Sequence, residues 1–223
     1  MLIINGAGSV IAKNFILSKP NSKILAISRS SAVQQVGVEN VNLNDTEALA
    51  ACLEEIEDDE IIWVNFQALK HDNLLINTSL DHVIESFDVN FMRNFIAAKV
   101  LIPKMIKSRR GKFIFFDSVR ASMGDVGCTA YSCSKAANRP LMQSIVAEYS
   151  RFNITCNIVS IGYAETPMWL NIDQQKRKNM LKDVPGKKMV ELNEVNSTIE
   201  CFLQNRSING EIIKLDGGMH NPG

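Results

Sequence analysis

Short apolar runs alternate along the chain with stretches in which apolar residues recur every three or four positions. The opening run Met1-Leu-Ile-Ile-Asn5 reads as a buried strand, and it passes through Gly6-Ala7-Gly8-Ser9-Val10-Ile11-Ala12 into the amphipathic Lys13-Asn14-Phe15-Ile16-Leu17. Further strands are predicted over Lys23–Ser28, Glu39–Leu43, Glu60–Asn65, Lys112–Asp117, Ile154–Ser160 and Glu211–Leu215. Asn44-x-x-Glu47 is a capping-box pattern that opens a helix over Thr46–Glu57. Ser79 caps a long helix in which Leu80, Val83, Ile84, Phe87, Phe91 and Phe95 share a face. That helix is expected to bend at Pro103 and to end with Lys107, Arg109 and Arg110 before Gly111. Helices over Tyr131–Arg151 and Glu194–Leu203 complete the pattern. Such alternation predicts an α/β fold, with a doubly wound, mostly parallel sheet of about seven strands and helices on both faces. No Gly/Pro/Ser linker, repeat or low-complexity block interrupts it, so one domain over residues 1–223 is expected. The irregular stretch Tyr163–Lys188 follows the sixth strand, where a lid would cover a cleft at the strand ends.

Two features carry chemistry. A strand, a small-residue turn and a helix form the unit that cradles a dinucleotide pyrophosphate on backbone N–H groups, although a glycine-rich turn alone can be simple punctuation. Tyr131 and Lys135, spaced i, i+4, share one face of a helix. A free phenol has a pKa of about 10, and an ammonium beside it is expected to lower that value into the range of proton exchange. Ser118 offers a hydroxyl that can hold a substrate oxygen against the tyrosine. Asn90, within the long helix, reads from its spacing equally well as a solvated polar residue.

Taken together, these pieces resemble the short-chain dehydrogenase/reductase family in its compact form. The turn pattern T-G-x-x-x-G-x-G falls on Asn5–Ala12, N-N-A-G on Asn65-Phe66-Gln67-Ala68, and the helix asparagine on Asn90. The catalytic serine falls on Ser118, Y-x-x-x-K on Tyr131 and Lys135, N-x-V-x-P-G-x-x-x-T on Asn157–Thr166, and D-G-G on Asp216-Gly217-Gly218. The resemblance implies a Rossmann-like fold and a catalytic set of Asn90, Ser118, Tyr131 and Lys135. In that set Asn90 bends its helix and holds a relay water, and Lys135 also binds the nicotinamide ribose. It further implies cofactor contacts at Gly6, Gly8, Ser9, Val10, Ile11, Ser28, Arg29, Asn42, Leu43, Asn65, Tyr131, Lys135, Gly162, Ala164 and Thr166. Val10 and Ala12 replace turn glycines, Gln67-Ala68 replaces Ala-Gly, and Ile161 replaces a proline.

Where an acidic residue after the second strand would bind the 2′-hydroxyl of NAD, Ser28-Arg29-Ser30 presents a guanidinium and two hydroxyls, which favours NADP(H) over NAD(H). Asn42 stands where the family has an adenine-contacting aspartate. Arg120 and Met123 are expected near the cleft mouth, with Arg120 either binding an anionic part of the substrate or forming a surface ion pair. Lys176-Arg177-Lys178 reads mainly as a solvated helix face, and Trp169, Leu170 and Ile172 as lid packing. His71, His82 and His220 share no catalytic spacing.

With 24 basic and 24 acidic residues the formal charge is zero, which gives no basis for a general nucleic-acid or membrane surface. Cys52, Cys128, Cys133, Cys156 and Cys201 lack metal-ligand spacing, and no metal site is predicted; reduced, mostly buried thiols and a cytoplasmic location are expected. The resulting expectation is an NADP(H)-dependent oxidoreductase, resembling 3-oxoacyl-thioester reductases, that interconverts a carbonyl and a secondary alcohol on a small-molecule substrate. A homo-oligomer is expected, a tetramer first and a dimer second, joined through the helices that begin at Ser79 and Tyr131. The alternatives are a non-catalytic dinucleotide-binding regulator and, less favoured, a nucleotide-sugar epimerase or dehydratase.

Overall fold

The computed structural model describes residues 1–29, 33–35, 37–43, 45–57 and 60–219, without the side chains of Pro167 and Met168. Ser30, Asn44 and His220, singled out above, lie outside the described residues. Seven parallel strands form one sheet: β1 (Leu2–Asn5), β2 (Ile24–Ser28), β3 (Val38–Asn42), β4 (Ile61–Asn65), β5 (Gly111–Ser118), β6 (Ile154–Ile161) and β7 (Ile212–Leu215). Their order is β3-β2-β1-β4-β5-β6-β7, so the chain reverses direction across the sheet between β1 and β4. A crevice opens at such a switch point, beyond the carboxyl ends of the strands.

The helices are α1 (Val10–Leu17), α2 (Thr46–Glu54), α3 (Leu80–Phe87), α4 (Arg93–Ser108), α5 (Thr129–Ala136), α6 (Asn138–Tyr149), α7 (Pro167–Leu170), α8 (Gln174–Lys182) and α9 (Leu192–Gln204). Alternate strand residues serve opposite faces. Ile4, Ala26, Val64, Ile114 and Val159 pack with Phe15 and Ile16 of α1 and Val195, Ile199 and Phe202 of α9. Ile3, Leu25, Trp63, Phe113 and Ile158 pack with Leu49 and Leu53 of α2, Leu101 and Met105 of α4, and Met142 and Ile145 of α6. Interior strands are buried on both faces, which is why they read as continuous apolar runs, whereas the edge strands β3 and β7 are half exposed.

Several element boundaries depart from the sequence expectation. α2 is capped by Asp45, whose carboxylate accepts from Ala48 N at 2.7 Å, and it stops at Glu54. The long helix, expected to bend at Pro103, runs unbroken through it as α4; its interruption is a π turn over Asp88–Met92, around the Asn90 at which the resemblance implied a bend. Arg109, in the left-handed region at φ 52°, terminates α4. The predicted Tyr131–Arg151 helix divides at Ala137 into α5 and α6. Pro140 explains the division, since it has no N–H to donate to Ala136 and its ring crowds that carbonyl. Of the cysteines, Cys128 and Cys156 are buried, Cys133 is exposed and the other two are half-buried, so burial is less general than expected. Among the described residues no helix is long and apolar enough to cross a membrane.

A chain of buried amides joins sheet to helices. Asn94 Oδ1 accepts from Trp63 Nε1 at 3.0 Å and from Asn65 Nδ2 at 2.8 Å, while its Nδ2 donates to Asn138 Oδ1 at 2.7 Å. Replacing Asn94 by Ala leaves three buried polar groups short of a partner, each worth about 1–3 kcal/mol. The Asn94→Ala variant should lose about 3 kcal/mol or more, read as a lower urea midpoint at unchanged slope. A midpoint equal to that of the natural protein would show that the amide chain is not structural.

Candidate active site

A cavity of about 510 Å³ opens at the switch point, and its wall carries most of the residues the sequence singled out. At one end lie Gly6, Gly8, Ser9, Val10, Ile11, Ser28 and Arg29; at the other, Ser118, Tyr131, Lys135, Gly162, Ala164 and Thr166. The turn after β1 is tight because Gly6 adopts φ +78° and a Cβ there would stand 2.7 Å from Gln67 N. Val10 and Ala12 replace glycines without strain, since neither takes a positive φ and both lie within α1. Ser9 caps α1, with its hydroxyl accepting from Ala12 N at 3.1 Å and its carbonyl from Lys13 N at 2.9 Å. The N–H groups of Val10 and Ile11 therefore have no intrahelical acceptor and suit an anion. Arg29, exposed at the end of β2, lines the same end of the cavity. This cradle and its donor set fit a dinucleotide.

At the other end, β5 delivers Ser118 and α5 delivers Tyr131 and Lys135. The Ser118 side chain lies close enough to the phenol of Tyr131 to hold its pKa down. Lys135 is buried, and its Nζ donates to Gln67 O and Phe116 O, each at 3.0 Å. The expected lowering of the phenol is not found. Burial pushes Tyr131 up to about 12, and although the hydroxyl of Ser118 opposes this, the charge of Asp117 reinforces it. Burial also pulls Lys135 down to about 8, opposed by Asp117. The spacing put both side chains on one helical face, but the ammonium is spent on two carbonyls at the sheet rather than on the phenol.

Asn90 sits in the π turn and is fully buried rather than solvated. Its Nδ2 donates to Leu69 O at 2.8 Å and Ser134 Oγ at 2.9 Å, and its Oδ1 accepts from Leu69 N at 2.8 Å. Its main-chain carbonyl accepts from Asn138 Nδ2 at 2.8 Å, so both ends of the side chain and the carbonyl are bound to protein groups. Asn65 is likewise structural in this geometry: buried, it accepts from Asn5 Nδ2 at 3.0 Å and Gln67 N at 2.9 Å. Asn42 and Leu43 lie at the end of the edge strand, off the cavity wall, with Leu43 N donating to Ser28 O at 3.1 Å. Met123 is also off the wall, as are Lys176, Arg177 and Lys178.

Arg120 does line the cavity, and it is already engaged: Nη2 donates to Tyr163 Oη at 2.8 Å and Nη1 pairs with Asp125. Tyr163 stacks in turn on Trp169 at 4.9 Å between ring centroids. Sequence reasoning missed Lys70, Met180 and Asp117 on this wall. Asp117 had a signal, being a carboxylate at the end of the apolar run Phe113-Ile-Phe-Phe.

The family described as enoyl-(acyl carrier protein) reductase matches residues 8–220. The 3-oxoacyl-(acyl-carrier-protein) reductase FabG of Buchnera aphidicola subsp. Baizongia pistaciae is 32% identical over 164 residues, covering 72% of this chain and 66% of that protein, just under two thirds of its length. The chain belongs to the short-chain dehydrogenase/reductase family. A second short-chain dehydrogenase/reductase of the same description, from Vibrio cholerae serotype O1, is 25% identical over 229 residues, or 96% of this chain and 93% of that one. The solved structure of ElxO with NADP bound superposes with a TM-score of 0.88 at 20% identity, covering 98% of this chain and 97% of that one. A gluconate 5-dehydrogenase from Burkholderia cenocepacia, in complex with NADP and tartrate, superposes with a TM-score of 0.88 at 20% identity over 98% of this chain and 94% of that one. At such identity these two structures establish the fold alone. As a short-chain dehydrogenase/reductase the protein is an oxidoreductase that interconverts carbonyl and alcohol. The family description and the curated relatives name different groups, enoyl and 3-oxoacyl, so neither fixes the substrate of this chain.

Proposed function

We propose that the protein uses NADP(H) to interconvert a ketone and a secondary alcohol on a small molecule, with Tyr131 as the proton donor and acceptor. One observation carries this reading: Ser118, Tyr131 and Lys135 line one cavity with the Gly6 turn and Arg29, and the Ser118 side chain acts on the phenol of Tyr131. The bound nicotinamide supplies the hydride. Ser118 and Tyr131 hold the carbonyl oxygen between two hydroxyls, and Tyr131 delivers its proton as negative charge develops there. Lys135, while protonated, contributes a positive charge that favours the phenolate left behind. Asn90 shapes the π turn and orients α5 through Ser134. Burial keeps the Tyr131 phenol protonated in the free protein. No observation favours a non-catalytic regulator, since the substituted turn positions take ordinary helical conformations. Residues 163–188 act as a lid within the same domain and bring Trp169, Ile172 and Met180 onto the cavity wall.

Tyr131→Phe should keep NADPH affinity and lower turnover at least a hundredfold, within the usual range for acid–base catalysis. In the natural protein, NADPH-driven reduction needs Lys135 charged. Its lowered value means that this charge is present on the acid side and is lost as pH rises through about 8, so the rate should fall there. The substrate for both measurements comes from a screen of acyl thioesters, sugars, steroids and small diketones. Near-normal turnover in the phenylalanine variant would falsify the role of Tyr131.

Arg29 supports NADP(H) over NAD(H), because its guanidinium can bind a 2′-phosphate that a carboxylate would repel. Arg29→Asp should move preference toward NAD(H), measured by titrating both proteins with both cofactors. A natural protein that already binds NADH several-fold tighter would sink the argument.

We also read the protein as a homo-oligomer. Leu80 and Ile84 on α3 are 79% and 66% exposed, and Met92 and Phe95 beside them are 37% and 43% exposed, an apolar stripe suited to a symmetry mate. Light scattering should give a multiple of the chain mass of 24.8 kDa, and the single mass would refute the reading.

A further inference from the structure

Asp117 stands at the end of four apolar strand residues, and its side chain is wholly withdrawn from solvent. Oδ2 accepts from Arg139 Nε at 2.8 Å, and Arg139 Nη2 donates to Ser122 Oγ at 3.2 Å. Oδ1 is buried and has no hydrogen-bond partner among the described residues. A buried carboxylate with an unused oxygen is costly, and it stabilises a fold no better than an apolar pair of the same shape would. Its position suggests why it is present. Tyr131, Lys135 and Arg139 recur at i, i+4 and i+8, and each engages one of three consecutive residues of β5. Tyr131 meets the side chain of Ser118, Lys135 the carbonyl of Phe116 at 3.0 Å, and Arg139 the carboxylate of Asp117. Asp117, Tyr131 and Lys135 line the same cavity.

The charged and titratable groups around this corner are Tyr131 and Lys135 from α5, Arg139 from α6, Arg120 from the turn after β5, and Cys128 just before α5. Asp117 is the carboxylate that favours the ammonium of Lys135 against its burial. The same negative charge disfavours a phenolate at Tyr131. Both effects hold the pair as ammonium plus phenol, the form that donates a proton. Arg139 keeps the carboxylate in place and offsets part of its charge.

We propose that Asp117, clamped by Arg139, is an electrostatic positioning residue that keeps this active site in its proton-donating form, an inference that rests on the catalytic roles of Tyr131 and Lys135 proposed above. Asp117→Asn keeps the shape and an acceptor for Arg139 while removing the charge. Two readouts separate this idea from a structural role. One is the titration of Lys135, followed by NMR on protein carrying 13C-labelled lysine and assigned by loss of the signal in Lys135→Arg. The other is the alkaline limb of NADPH-driven reduction. Both should move to lower pH by about one unit, the effect of removing one neighbouring opposite charge. The double variant Asp117→Asn/Arg139→Gln, a neutral pair that can still hydrogen-bond, should show a smaller displacement in the same direction, because the offsetting guanidinium is removed as well, and it covers the case in which the single variant does not fold. If Lys135 titrates at its natural pH in both variants, the proposal is overturned, whatever happens to their melting temperatures. If the titration moves and the rate profile does not, the coupling to Asp117 stands and the catalytic assignment of Lys135 fails.

Discussion

Asn94 is the contact on which the rest of the site depends. Its carboxamide takes two hydrogen bonds from β4, through Trp63 and Asn65, and passes one on to Asn138 at the start of α6. Asn138 Nδ2 then donates to the carbonyl of Asn90 at 2.8 Å and to that of Lys135 at 3.2 Å. Five polar residues thus connect the centre of the sheet to the π turn and to the break between α5 and α6. In a low-dielectric interior each such bond is strengthened by its neighbours, and an unmade one costs the desolvation of the group left over. The helix carrying Tyr131 and Lys135 consequently has one position relative to the strand ends, where apolar packing alone would allow some sliding.

That placement accounts for the electrostatics. Once α5 is fixed, Lys135 reaches the carbonyls of Gln67 and Phe116, and burial rather than mutual contact dominates the titration of both Lys135 and Tyr131. Asp117 then acts on both groups from the same strand end. The mouth of the cleft is organised separately. Arg120 ties the turn after β5 to Tyr163 and Asp125, and Tyr163 rests on Trp169, so the segment after β6 is anchored to the strand that carries Ser118. At the cleft mouth the charges are thus paired with one another, and Trp169, Ile172 and Met180 supply an apolar wall.

At the cofactor end the glycine substitutions proved compatible with the turn. Gly6 alone among the first turn residues carries a positive φ, and it lies against the backbone at Gln67, where no side chain fits. Gly162 is similarly confined, since a Cβ there would stand 2.9 Å from Asp216 Cα, so the β6 and β7 ends close the far side of the crevice. Val10 and Ala12 occupy helical positions, and Ala12 is buried in the core.

The strands, their order of appearance and the Gly6 turn were legible in the sequence because each rests on short-range rules: apolar runs, helical spacing, and the conformational freedom of glycine. Tyr131, Lys135 and Ser118 were legible as a set because the family's spacing is written in single residues. The end of the long helix at Arg109 was legible, and composition misplaced only its interruption, put at Pro103 where the structure has a π turn at Asp88–Met92 around Asn90, the residue at which the family resemblance implied a bend. The break at Ala137 was in principle readable from Pro140. Asn90 was marked by the family resemblance, but its link to Asn94 and Asn138 emerged only when the tertiary structure brought the three within hydrogen-bonding distance. For the same reason the sequence put the ammonium beside the phenol, and only the packed structure could assign it to the carbonyls of Gln67 and Phe116. Spacing along a helix decides which face a side chain takes, but the partner on that face, and the field it feels, come from strands distant in the chain.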